Sequence, residues 1–325
     1  MKAIDIQAIQ GFRMGHAQHE EAGTGCTVIV CEEGAAAGVS VRGGSPGTRE
    51  TDLLKSENLI DRVHSVFMAG GSAFGLDVAG GIMEYLERKK IGFDVGKTFV
   101  PIVPGAILFD LNVGDAEVRP NQLMGYNACA KAFSDTPFFE GNVGAGTGAS
   151  VGKIYGGDYS MKGGLGWAAV EAGDLQLGAI IAVNCFGDVI DPASNSIVAG
   201  AYNRGENKFM NSEHGLISQL QERQTNRFND NTTIGTLITN AVLTKAQSNK
   251  LSSIAHDGLA RTMRPSHTFV DGDTLFTLST NKIEVDLNGL SMLAVSVVEK
   301  AVLRAVKAAN TAYGLPAYRD IFKRK

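Results

Sequence analysis

No apolar run in the 325 residues approaches the roughly 18 that a membrane-spanning helix needs. The opening segment, Met1-Lys2-Ala3-Ile4-Asp5, has no apolar secretory core, so a cytoplasmic setting without a membrane partner is expected. Basic charge is sparse as well. Basic runs such as the terminal Lys323-Arg324-Lys325 reach only three residues and the formal net charge is −4, which argues against nucleic acid as a partner. The four cysteines form no C-x-x-C pair. Cys26 and Cys31 lie on an expected strand, face opposite sides, and read as reduced, buried thiols. His16-Ala17-Gln18-His19-Glu20-Glu21 matches no zinc-helix pattern and is expected to be a solvated loop, so no metal is expected. His64, His214, His256 and His267 stand isolated and offer no serine-histidine triad. With no internal repeat or break in composition, residues 1–325 read as one domain.

The chain is 44% hydrophobic and 20% charged, ordinary for a globular protein with a sizeable core. Its 40 glycines, about 12%, exceed the usual roughly 7%. They are scattered among apolar segments, which favours tight turns and close backbone packing over a flexible linker. Strands are expected at Cys26–Cys31 and Ala37–Val41, joined by a turn at Glu32-Glu33-Gly34, and again at Val66–Ala69, Val100–Val103 and Ala106–Leu111. Leu165–Glu171 and Leu175–Asn184 read as a hairpin, and Thr233–Ala241 and Thr274–Thr280 as later strands. Helical spacing marks Ala73–Lys90, with Ser72 as its N-cap, then Asn121–Phe133, Thr244–Met263 and Leu290–Ala312. The segment from Asn203 to Asn231 is polar, Asn-rich and linker-like. Antiparallel-rich sheets covered by helices, an α+β class, follow from this order.

Gly144-Ala145-Gly146-Thr147-Gly148-Ala149 matches a dinucleotide fingerprint loosely, but the strand-before, helix-after context is missing. A phosphate loop fails too, because Gly152-Lys153 is followed by Ile154. The glycines, Gly144 and Gly146 among them, read as a loop that lets backbone pass close to a reaction centre, with Lys153 delivered at its end. Taken alone, Lys153 is equally a solvated charge.

The stretch Asn231-Thr232-Thr233-Ile234-Gly235 places a threonine where the polar segment meets a buried strand. A threonine hydroxyl is a poor nucleophile unless a base takes its proton, and a free α-amine can be that base. The amine titrates near ~8. It exists only if the Asn231–Thr232 bond is cut. A plain turn before a strand fits the same residues. Asp271-Gly272-Asp273 is either a hairpin turn with solvated acids or a carboxylate pair converging on the threonine. Asn184, at the end of an apolar run, is a structural amide or an oxyanion donor worth roughly 3 kcal/mol.

Together these stretches resemble the self-processing family of L-aminopeptidase D-amidase/D-esterases, which includes β-aminopeptidases and nylon-oligomer hydrolases. The resemblance runs nearly end to end, through Val41–Asp52, Gly70–Asp77, Val100–Ala106, Gly141–Gly148, Ala182-Val183-Asn184 and the cut-site stretch. It implies a four-layer αββα sandwich laid out as in N-terminal nucleophile (Ntn) hydrolases, with a connectivity shared with ornithine acetyltransferases. It implies self-cleavage into chains 1–231 and 232–325 that stay associated, and a homo-oligomer of four or more copies. Thr232 would be the nucleophile, with Lys153 and Asn184 in support and Asp271 and Asp273 as the acidic pair. No cofactor is implied. Two departures stand out. Aminopeptidase members often carry a serine nucleophile, with serine and glutamate where Asp271 and Asp273 fall, so the set here is closer to the nylon-hydrolase branch. A tyrosine common after the Pro-Gly-Ala segment is Phe109 here. The implied activity is hydrolysis of small peptides, amino-acid amides or esters, or ω-amino-acid oligomers through an acyl-enzyme. Acyl transfer in the manner of ornithine acetyltransferases and an uncleaved, non-catalytic scaffold are the alternatives.

Overall fold

The computed structural model describes residues 1–222 and 231–322. The end of the polar segment (223–230) and the basic run Lys323-Arg324-Lys325 lie outside the described residues. Ten strands form one continuous sheet. In chain order they are β1 (Lys2–Ile4), β2 (Arg13–His19), β3 (Thr24–Val41), β4 (Thr48–Arg49), β5 (Val63–Ala69), β6 (Gly105–Ile107), β7 (Gly164–Ala172), β8 (Leu175–Val183), β9 (Ile234–Ala241) and β10 (Thr274–Ile283). The spatial order is β1-β7-β8-β9-β10-β3-β5-β6-β4, with β2 on β3. Two pairings, β9 with β10 and β5 with β6, are parallel, and the rest along this path are antiparallel.

The turn expected at Glu32–Gly34 is absent. β3 runs straight through it, because its first half pairs with β2 and β5 and its second half with β10. The ladder instead slips between Val30 and Ala35, where exposed Glu32 and Glu33 interrupt the apolar alternation. β3 thereby belongs to both halves of the sheet. Side-chain period two then sorts the core. Val28, Val30, Phe67 and Ala69 pack against α1 (Val78–Arg88) and α2 (Gln122–Ala132). On the opposite faces, Ile29, Val66 and Met68 meet Ile180, Ala182, Ile238 and Phe276 in a central core. Ala179, Ile181 and Val183 point the other way, onto α4 (Lys245–Thr262) and α5 (Leu287–Ala308). Cys26 and Cys31 are free, buried and in different cores, as their spacing requires.

The caps explain where the helices start. Asn121 accepts the Met124 N–H, and Thr244 with Gln247 forms a reciprocal capping box. Ser72 does not cap α1. It sits at φ 53°, and a 3₁₀ turn over Ser72–Asp77 precedes the helix. The strand expected at Ala106–Leu111 shrinks to β6, and Val100–Val103 yields only the short Phe99–Val100 pairing, since Pro101 and Pro104 have no N–H to give. The linker-like segment carries the short strand pair Tyr202–Asn203 and Lys208–Phe209 and then α3 (Ser212–Gln221), capped by Asn211. His16 is not in a solvated loop. It lies buried on β2, stacked on Phe138 and bonded to Thr27, and burial lowers its pKa to about 3. Among the described residues no helix is long and apolar enough to cross a membrane, and no cluster of three metal-ligating side chains occurs.

Candidate active site

Strand direction assembles the site. β9 and β10 are parallel, so both begin at the same edge of the sheet, and antiparallel β8 ends there. The register Ile234↔Thr274 and Ala182↔Ile234 therefore brings Asn184, Thr232 and Gly272 side by side, and Asn231 bridges to Asp271. Residues far apart in sequence meet because two buried ladders fix one register.

The Asn231–Thr232 peptide is buried and held at every polar atom. Asn231 N–H donates to the Val270 carbonyl at 3.0 Å and Thr232 N–H to the Asn184 carbonyl at 3.1 Å. The Asn231 carbonyl accepts two donors: Gly272 N–H at 2.7 Å and the Thr232 Oγ1 hydroxyl at 2.5 Å. The hydroxyl thus lies against the carbonyl it would attack. Gly272 is a glycine because a Cβ there would stand 2.6 Å from Thr232 Oγ1.

The Asn184 side chain is held by three partners. Its Nδ2 donates to the Phe109 carbonyl at 2.9 Å, and its Oδ1 accepts Ser150 N–H at 3.0 Å and Lys153 Nζ at 2.8 Å. Lys153 Nζ also reaches the Asn184 carbonyl, at 3.2 Å, so the ammonium and the Thr232 N–H share one acceptor. Phe109, Ser150 and Lys153 line a cavity of about 360 Å³ that Asp158, Arg204 and Tyr313 complete. Gly144 and Gly146 are not in its wall. They are buried, and an added Cβ would clash with Thr27 Oγ1 at Gly144 and with the Leu165 backbone nitrogen at Gly146.

Asp271 and Asp273 are each 1% exposed. Asp273 Oδ1 accepts the Thr233 N–H at 2.7 Å, next to the nucleophile candidate. Asp271 accepts from the Thr268 hydroxyl and N–H, at 2.6 and 3.0 Å. Burial, then the charge of Asp273, pushes the Asp271 carboxyl up to about 6, against the Thr268 bonds that lower it. Two further groups had no signal in the sequence. Lys162, fully buried, donates to the carbonyls of Gly146, Ala149 and Gly163 at 3.0, 2.8 and 3.3 Å and so pins the loop that delivers Ser150. Burial drags its pKa to about 7, opposed by the nearby Asp110. Asp110, raised to about 6 by burial, takes the Gly71 N–H and the Thr24 hydroxyl.

The pattern of Peptidase family S58 matches residues 5–318. The chain belongs to peptidase family S58. A protein named as an uncharacterized aminopeptidase from Mycobacterium tuberculosis is 37% identical, over 98% of this chain and 97% of that one. A 6-aminohexanoate-oligomer endohydrolase from Kocuria sp. is 29% identical, over 91% of this chain and 84% of its own. Among solved structures, a β-aminopeptidase from Burkholderia sp. superposes with a TM-score of 0.69 at 19% identity, covering 98% of this chain and 93% of that one. The L-aminopeptidase D-Ala-esterase/amidase of Ochrobactrum anthropi, described as a variant of the Ntn hydrolase fold, gives 0.64 at 20%, with the same coverage. The family expected from the motifs is the family found, and the mixed α+β fold is similar to that of Ntn-type aminopeptidases. This S58 member is a hydrolase of peptide or amide bonds.

Proposed function

We propose that this S58 member is a self-activating N-terminal-threonine amidohydrolase that cuts its own Asn231–Thr232 bond. The observation that carries the reading is the Thr232 hydroxyl lying 2.5 Å from the Asn231 carbonyl oxygen, while Gly272 N–H holds that oxygen from another side. In the first step Oγ1 bonds to the Asn231 carbonyl carbon, the C–N bond breaks, and the hydroxyl proton passes to the departing nitrogen. Water then hydrolyses the ester, freeing the Asn231 carboxylate and the Thr232 amine and hydroxyl.

In the mature enzyme the freed amine takes the Oγ1 proton as the hydroxyl attacks a substrate amide, and water later releases the acyl group. Lys153 supports this role. Its ammonium shares the Asn184 carbonyl with the Thr232 nitrogen, and a like charge disfavours protonation of the new amine. Asn184 would give its second side-chain N–H to the substrate oxyanion. Asp271 and Asp273 hold the loop and the Thr233 N–H around the nucleophile. The cavity beside Lys153 offers both charge signs, Asp158 and Arg204, which suits short substrates with an amino end: small peptides, amino-acid amides or ω-amino-acid oligomers. The same reading takes chains 1–231 and 232–325 as parts of one domain with a four-layer αββα order and the ornithine acetyltransferase connectivity. It also takes the protein as a cytoplasmic homo-oligomer, checked by light scattering.

Thr232→Ala is the direct test. The variant should remain one undivided polypeptide on a denaturing gel, and amidase turnover should fall by about a thousandfold or more. A mature parent chain whose amino terminus is not Thr232 would sink the proposal.

A further inference from the structure

Two histidines stand behind the acids, and the reaction proposed above uses neither. His267 Nδ1 is 2.7 Å from Asp273 Oδ2, and the His267 backbone N–H donates to the same oxygen at 3.0 Å. The other oxygen of Asp273 holds the Thr233 N–H. His256, buried on α4, stands edge-on to His267 with ring centroids 4.8 Å apart, and its Nε2 lies 2.9 Å from the Ser40 carbonyl. His267 Nε2 and His256 Nδ1 are both buried without a hydrogen-bond partner among the described residues. Residues that look isolated in the sequence thus form a line from the nucleophile's neighbour to β3.

We infer that His267 is a positioning residue: it donates its Nδ1 proton to Asp273 and holds that carboxylate aimed at the Thr233 N–H. The inference rests on Thr232 being the nucleophile. A neutral imidazole carries one N–H. Placing it on Nδ1 satisfies the carboxylate and leaves a bare lone pair on Nε2, where a second proton would find no acceptor. His256 adds to that barrier. Burial lowers its pKa to about 4, the Ser40 carbonyl opposes this, and His267 lowers it further. Two charged rings at this spacing would repel without solvent to screen them. The charged and titratable groups around His267 are Asp273 and Asp271 from the following loop and His256 from α4. Beyond His256 lies Arg42, just past the end of β3, paired with Asp257 at 3.6 Å.

The left-handed backbone at His267, φ 56°, indicates the informative substitution. Asparagine tolerates that conformation, and its Nδ2 can donate where Nδ1 does, without titrating near neutral pH. The rate of self-cleavage of the full chain is measured against pH for the parent, His267→Ala and His267→Asn. In the parent the rate should fall as pH drops through about 6, where Asp271 takes up a proton. Losing the donor leaves Asp273 Oδ2 unheld and lets the carboxylate turn from the Thr233 N–H. His267→Ala should therefore slow cleavage roughly tenfold at neutral pH, and His267→Asn should recover most of the rate. His267→Ala cleaving at the parent rate overturns the inference.

Nitrogen-15 spectra of the histidine rings in the uncut Thr232→Ala chain give a readout independent of turnover and of folding in the other variants. A protonated Nδ1 and bare Nε2 on His267 are expected, and the opposite tautomer overturns the inference. The expected tautomer together with a parent chain that never cuts would instead sink the nucleophile assignment.

Discussion

At the scale of single residues, the site depends on how closely atoms approach one another. On the proposed reaction, Thr232 Oγ1 needs the Asn231 carbonyl at contact distance, and a side chain at residue 272 would crowd that hydroxyl. In Gly272→Ala the new Cβ would lie 2.6 Å from Oγ1 and 2.7 Å from the Ser45 carbonyl oxygen. The hydroxyl must then turn away or the loop must shift. Self-cleavage should slow by about tenfold or more in a chain that still folds, followed by gel time course beside circular dichroism. A parent-like cleavage rate would show that the close approach carries no function. Asp271, Asp273, Asn184 and Lys153 were legible as residue types at suggestive places. His267, Thr268, Lys162 and Asp110 were not, since their partners lie on other elements. His267 is six positions before Asp273, and sequence gives no means of telling that a loop folds back to join them.

At the scale of elements, hydrophobic period and caps were readable, and long-range pairing was not. The helices at Asn121–Phe133 and Thr244–Met263 came out within a residue because Asn121 and the Thr244/Gln247 box mark their starts. β3 was misread as two strands. A Glu-Glu-Gly break signals a turn locally, yet pairing with β2 and β5 on one half and β10 on the other carries the strand through it. The capping box permits a clean separation of stability from chemistry. Thr244→Ala removes the acceptor of the Gln247 N–H and should lower unfolding free energy by about 1 kcal/mol. Thr244 lies outside the site, so the self-cleavage rate should stay at the parent value. Chemical denaturation and the same gel assay check both halves.

At the scale of the molecule, the expected cut divides the chain without dividing the fold. β9 and β10 belong to the 232–325 piece, and they lie between β8 and β3 of the 1–231 piece, hydrogen-bonded on both sides. α4 and α5 cover the same core from above those strands. Breaking one peptide bond leaves these ladders intact, so the two pieces should co-elute in native chromatography and separate only in denaturant. Elution of the pieces as separate species under native conditions would contradict that sheet order.

The order of motifs along the chain determined the family, the helices and the residue types available for chemistry, because those depend on local pattern and spacing. Tertiary structure alone decided which of them touch. Parallel pairing of β9 and β10 aligned the starts of two strands and the end of a third. That alignment laid a hydroxyl on a carbonyl, put a glycine amide opposite, and set a histidine behind the acid. Such contacts are properties of sheet register, which non-local hydrogen bonds fix and no local stretch of sequence encodes.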